Sequence, residues 1–188
     1  MILQEGEEVR PQVDVLIASL HWGDEFIDQP SPEQIRVGRA MIDGGFDVVI
    51  GHHPHILQGV EEHDGGVIAY SLGNFVYDQW QPRLRQSAIL SLCISGPRSI
   101  SFELEPVTIN ELHQPTILSG ELARDGRRHL AELAGKVGRL DEKAYGAEVA
   151  VNFRRFRREM YIHYMTRLWR KSPTAFAHNI SEIVRRRL

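Results

Sequence analysis

The sequence predicts an α/β fold with mixed strands and a helical extension at its C-terminal end. Three observations carry this. An apolar, β-branched run is followed by a well-capped helix and a second apolar run. Further short strand patterns follow, separated by Gly-containing turns. From residue 119 onward the apolar spacing becomes helical. The chain has 188 residues, 42% of them hydrophobic and 25% charged, enough for one domain with a sizeable core.

Residues 13–20 (VDVLIASL) read as a buried strand, and His21-Trp22-Gly23 follows at its C-terminal end, where open α/β sheets build their sites. Ser31 is a good N-cap, Pro32 suits the first helical turn and Gln34 completes a capping box. The helix runs to about Asp43, with Ile35, Ala40 and Met41 facing inward, and Gly44-Gly45 ends it. A second strand at 47–50 (DVVI) implies a right-handed crossover between parallel strands. The turn at 63–66 leads into a third strand, 67–71. Residues 88–94 and 100–104 are two more, with Gly96-Pro97 as the turn between them. Residues 80–86 read as an exposed loop. Residues 121–133 form a helix with Leu122, Leu130 and Leu133 inward. Residues 147–170 are helical, Pro173 interrupts, and 175–188 form a last short helix. The expected domain boundary falls between a body at 1–138 and a basic helical extension at 139–188.

Composition excludes several classes. No apolar run approaches the ~18 residues of a membrane span. The acidic start MILQEGEEVRPQ lacks the apolar core of a secretory signal. The single cysteine, Cys93, forms no internal disulfide framework and reads as a small buried hydrophobe. The net charge of −3 conceals an asymmetry: residues 151–188 hold 10 Lys+Arg against 2 Asp+Glu, and residues 1–150 hold 12 against 23. Such a basic segment is a solvated helical face or a contact surface for an anionic partner.

Four histidines, His21, His52, His53 and His55, each lie just past a predicted strand. Neutral imidazole is a common ligand for Zn, Fe or Mn. In an extended loop residues i and i+2 point the same way, so His53 and His55 would face one cavity or divide between two ions. Pro54 and Gly51 would hold that loop close and rigid. The remaining histidines, among them His63, His113, His129, His163 and His178, read as surface or packing residues.

The stretches DVLIASLHWGDEF, GGFDVVIGHHPHILQGVE and GVIAYSLGNFVYDQ together resemble successive motifs of the bacterial CapA family. The resemblance spans roughly residues 10–135. It implies a role in poly-γ-glutamate capsule synthesis and a partial metallophosphoesterase-like α/β sandwich of the calcineurin-like type. It implies His21, His53 and His55 as metal ligands. His52 and Glu25 are the candidate catalytic residues, with His52 alternatively second to the ligands or facing substrate. Asp24 or Glu25 either orients His21 through its second ring nitrogen or is solvated. Trp22 and Asn74 are candidate substrate contacts, or a core residue and a turn-stabilising amide respectively.

Full-length relatives carry further motifs ahead of this segment: an Asp in a Gly-Asp turn, an acidic or Asn ligand and an Asn-His pair. The twenty residues before His21 contain none of them. The resemblance implies a two-metal centre of Mn, Fe or Zn, with those motifs as its anionic ligands. The expectation is a truncated or split product that binds metal weakly alone, or one completed by a polypeptide supplying the N-terminal half. Completed, it would be a metal-dependent hydrolase acting on an anionic polymer or a phosphate-containing substrate. The alternatives are a mononuclear site, which requires a carboxylate such as Glu25 to reach the metal, and a non-catalytic component of a capsule synthesis or export assembly. The segment NFRRFRREMYIHYMTRLWRK either packs its aromatic side chains on a core or contacts an anionic membrane surface. Nucleic acid is not an expected partner, because the body is acidic. The family association places relatives at the cell envelope.

Overall fold

The structure is a computed structural model that describes residues 2–96 and 99–177. Helix α1 (Ile2–Val9) is followed by strand β1 (Ile17–His21), helix α2 (Pro32–Asp43) and strands β2 (Val48–His52), β3 (Val60–His63) and β4 (Gly66–Ala69). These strands form one mixed sheet in the order β1-β2-β4-β3. β1, β2 and β4 are parallel and β3 is antiparallel on β4. A second, antiparallel sheet contains β5 (Gln86–Gly96), β6 (Ser99–Ile109) and β7 (Pro115–Ile117). Helices α3 (Gly120–Ala134) and α4 (Glu142–Lys171) follow. The chain divides into two compact units, Met1–Glu148 and Val149–Leu188. The α/β sandwich lies in the first.

The parallel β1–α2–β2 crossover forms as expected, and so does the capping box. The Gln34 amide N–H donates to Ser31 Oγ and the Ser31 N–H to Gln34 Oε1, both at 3.0 Å. α2 lays Ile35, Met41 and Ile42 on one face of the mixed sheet, against Ala18, Val49, Ile68 and Tyr70. The opposite face presents Val48, Val60, Val67 and Ala69 to Leu90, Leu92, Phe102 and Leu104 of the second sheet. The central strand β2 is apolar on both sides because both of its faces are covered. α3 adds Leu130 and Leu133 beside Leu57 and Ala88.

Several expectations are corrected. The first strand starts at Ile17 rather than Val13, because the Leu16 N–H donates to the buried Asp47 carboxylate at 2.7 Å. β2 extends through His52, so Gly51 and His52 are strand residues. Cys93 is exposed, not buried. The pleat of β5 turns Leu90 and Leu92 toward the inter-sheet core and Cys93 to the other side. Leu122 is exposed, whereas Leu130 and Leu133 are buried. Residues 80–86 are not simply an exposed loop: a 3-10 turn at Pro82–Arg85 buries Leu84 completely. β3, β7 and α1 are too short for the sequence pattern to mark them: four, three and eight residues, with three glutamates in α1. Pro97 of the expected hairpin turn, and residues 178–188 of the expected last helix, lie outside the described residues; 173–177 are helical.

Candidate metal centre

The strand ends bring two loops together. His21 and His52 are register partners at the C-terminal ends of β1 and β2, and the Trp22 N–H donates to the His52 carbonyl at 3.0 Å. The loop after β1 then folds over the loop after β2, where the Phe26 N–H donates to the Pro54 carbonyl at 2.8 Å. That bond places Glu25 next to the histidine loop. One ligand atom each from Glu25, His53 and His55 lies within 4.8 Å of the others. The His21 ring lies beside His53 with centroids 4.5 Å apart, and His53 lies 6.0 Å from His55.

The backbone here is unusual. Phe26, His53 and His55 have φ of 66°, 100° and 58°, values that L-residues rarely adopt. His53 and His55 therefore do not converge by the simple alternation of an extended strand. Left-handed turns on either side of Pro54 bring their side chains together. Strain of this kind persists only where the surroundings over-determine it.

Those surroundings are two buried amides that the sequence did not single out in this role. Gln58, 1% exposed, donates from Nε2 to the carbonyls of Ile27 (3.0 Å) and Gln29 (3.1 Å). Gln34 Nε2 in turn donates to Gln58 Oε1 at 3.4 Å. The N-terminus of α2 is thereby linked to the loop that carries Glu25. In the sequence, the hint is a glutamine inside the apolar run ILQGV. Lys136, two residues past the end of α3, pairs with Asp28 at 2.8 Å, and the Tyr145 hydroxyl donates to Asp24 at 3.0 Å. Burial and the neighbouring Asp24 carboxylate hold the Tyr145 phenol above its ordinary range.

Asp24, a candidate orienter of His21, accepts from the Tyr145 hydroxyl through Oδ2. His52 is exposed at the tip of β2 and is not part of the Glu25–His53–His55 group. Trp22 is half-buried: its indole N–H donates to the Tyr70 carbonyl at 3.0 Å, and its ring stacks on Tyr70 at 5.9 Å. Asn74 is 7% exposed and contacts His55, with its Oδ1 2.8 Å from Nδ1. The His55 ring is further flanked by Phe26 and Tyr77, with centroids 6.3 and 5.1 Å away.

Two imidazoles and one carboxylate converging at strand ends form a donor set that suits Zn or Fe(II). Glu25 is the one carboxylate of that set.

Comparison with known proteins agrees with the resemblance. Residues 1–79 match the model of the family described as bacterial capsule synthesis protein PGA_cap. The PGA biosynthesis protein CapA of Bacillus subtilis is 38% identical over 128 residues, which is 63% of this chain and 33% of the relative. The capsule biosynthesis protein CapA of Bacillus anthracis is 39% identical over 98 residues, 52% of this chain and 24% of the relative. A probable polyglutamine synthesis accessory protein of Mycobacterium tuberculosis is 27% identical over 110 residues. The chain thus spans 33% and 24% of the length of the two CapA relatives. Over these segments it is similar to the CapA family of bacterial capsule synthesis proteins.

Proposed function

We propose that this chain provides part of a divalent-metal site in a capsule-polymer synthesis protein acting at the cell envelope, with Glu25, His53 and His55 as ligands and His21 beside them. The observation that supports this most is the convergence of Glu25, His53 and His55 within 4.8 Å. The reading includes a carboxylate among the ligands, which favours a mononuclear site on this chain. A two-metal site would require further carboxylates from the remainder of a CapA-type protein. A bound Zn, Fe or Mn ion would supply Lewis-acid polarisation of a carbonyl or phosphoryl oxygen and a more acidic water. The chain's own residues position and neutralise. Glu25 offsets cation charge, and the paired loops fix the angle between the two imidazoles. His52, exposed at the rim, would meet substrate or exchange a proton with it. The reaction class is metal-assisted hydrolysis, or proton abstraction, at a peptide-like or phosphate-containing anionic polymer.

Titrating the full chain with Zn²⁺ or Mn²⁺ by calorimetry tests this. One ion per chain is expected, with affinity falling at least tenfold in Glu25→Gln and in His53→Ala. Binding that is equal in the wild type and in His53→Ala would refute it.

A second reading, a non-catalytic component of the capsule assembly, is favoured by α4. That helix exposes Arg154, Arg157, Arg158, Arg170 and Lys171 together with Phe153, Tyr161 and Trp169. An anionic polymer suits such a surface. Polymer binding that weakens with salt and persists in His53→Ala would favour this reading.

A further inference from the structure

We propose that Asn74 is a positioning residue that fixes the neutral His55 ring as its Nδ1–H tautomer, so that Nε2 is the nitrogen carrying the lone pair. The assignment of tautomer stands on hydrogen-bond geometry alone; only its consequence for a cation rests on the metal site proposed above.

The amide of Asn74 faces three polar atoms. Nδ2 lies 2.9 Å from the Leu84 carbonyl oxygen and 3.2 Å from the His55 carbonyl oxygen. Neither carbonyl has a proton to give, so the amide group facing them must be the NH₂, which has two protons to donate. The orientation of the amide, normally ambiguous between oxygen and nitrogen, is therefore set twice over. Turning it round would aim Oδ1 at two carbonyl oxygens. With NH₂ fixed, the atom 2.8 Å from His55 Nδ1 is Oδ1. An amide oxygen only accepts, so Nδ1 must carry the hydrogen. A neutral imidazole has one N–H, which leaves Nε2 unprotonated.

The surroundings hold this arrangement. Asn74 is 7% exposed, so water competes poorly for its amide. Gly73 before it has φ of 73°, and a Cβ there would lie 2.6 Å from the Gln86 carbonyl oxygen. The turn that presents Asn74 therefore needs glycine. Phe26 and Tyr77 flank the imidazole and restrain its plane. Asn74 is committed to these three bonds, so its place is behind His55 rather than against substrate. Carboxylates and carbonyls commonly orient ligating histidines in this way through the second ring nitrogen; here a buried side-chain amide takes that role.

Long-range ¹⁵N–¹H correlation of the full chain, recorded well above the ordinary histidine pKa and assigned with His55→Gln, reads the tautomer directly. The expected result is an Nδ1–H pattern for His55 in the wild type. In Asn74→Ala that pattern gives way to exchange between tautomers or to Nε2–H. An Nε2–H pattern in the wild type, or an unchanged Nδ1–H pattern in Asn74→Ala, would overturn the proposal. The wild-type spectrum decides the first point even if the variant does not fold. Competition titration with Zn²⁺ is read alongside. Asn74→Ala is expected to weaken binding about 10- to 100-fold. A wild-type chain that binds no Zn²⁺ yet shows Nδ1–H would sink the metal reading and leave the tautomer assignment standing.

Discussion

Gly51 sits where β2 passes closest to its neighbours. A Cβ at that position would lie 2.0 Å from the Tyr70 carbonyl oxygen and 2.2 Å from the Trp22 indole nitrogen. One of those contacts is backbone and cannot rotate away. The two atoms are also hydrogen-bonded to each other at 3.0 Å, so the added methyl would wedge that bond open. Gly51→Ala is expected to destabilise the fold by about 2–3 kcal/mol, at the upper end of overpacking costs. Denaturant unfolding measures this; a change within 0.5 kcal/mol would contradict the packing described. The same scale explains His53 and His55. Their spacing in the sequence suggested one shared cavity or a division between two ions, and their ligand atoms converge with that of Glu25. The dihedrals at these positions, φ of 100° and 58°, accompany a bond from the Phe26 N–H to the Pro54 carbonyl, which no local pattern encodes.

Among the elements, α2 was the most legible because its start is written in a contiguous motif. Ser31→Ala removes an acceptor for the Gln34 N–H and is expected to cost about 1 kcal/mol, measured as a lower urea midpoint with unchanged slope. The other end of α2 is tied to β3 and β4 through a partly buried network. The Tyr70 hydroxyl donates to Glu61 at 2.6 Å, and Arg39 donates to both oxygens of the same carboxylate at 3.0 and 2.9 Å. Burial alone would raise the Glu61 carboxyl, but the bonds from Arg39 and Tyr70 outweigh it and hold the group below its ordinary value. Burial and the Glu61 bond in turn push the Tyr70 phenol well above its ordinary range. The sign of the pH dependence follows. A depressed carboxylate contributes stability that is complete above its unfolded value of about 4.3 and is lost as pH falls through the lower folded value. Tyr70→Phe removes one bond to a charged acceptor. It should lower stability at neutral pH by about 1.5–3 kcal/mol and move the acid unfolding midpoint upward. The difference between variant and wild type should shrink once Glu61 is protonated in both. Unfolding curves at neutral pH and below the Glu61 transition test this, and an equal deficit at both would contradict the assignment.

At the scale of the whole molecule, the second sheet covers one face of the mixed sheet unevenly. Ile17 and Val48 are register partners on β1 and β2 and so share a face. Val48 is 0% exposed and Ile17 is 46% exposed. Val48→Ala should cost about 1.5–3 kcal/mol, whereas Ile17→Ala should stay within about 0.5 kcal/mol. Comparable losses at both positions would mean that β1 is covered in solution. The pair also shows the limit of reading burial from sequence, since both residues sit in apolar β-branched runs and only the placement of the other sheet separates them. Cys93 makes the same point: an apolar run suggested burial, and the pleat of β5 decided exposure.

What the sequence determined was whatever depends on neighbours in the chain: the parallel crossover, the capped helix, the strand-end placement of the histidines and the motifs shared with the CapA family. Periodicity, caps and turns are local, so they can be read in order. Tertiary structure decided which side chains meet. It brought Glu25 to His53 and His55, set Asp24 against Tyr145, turned Asn74 inward onto His55 and left His52 at the rim. The contacts of Asp24 and Asn74 are hydrogen bonds between segments distant in sequence, whose geometry exists only once those segments and the first turn of α4 have packed.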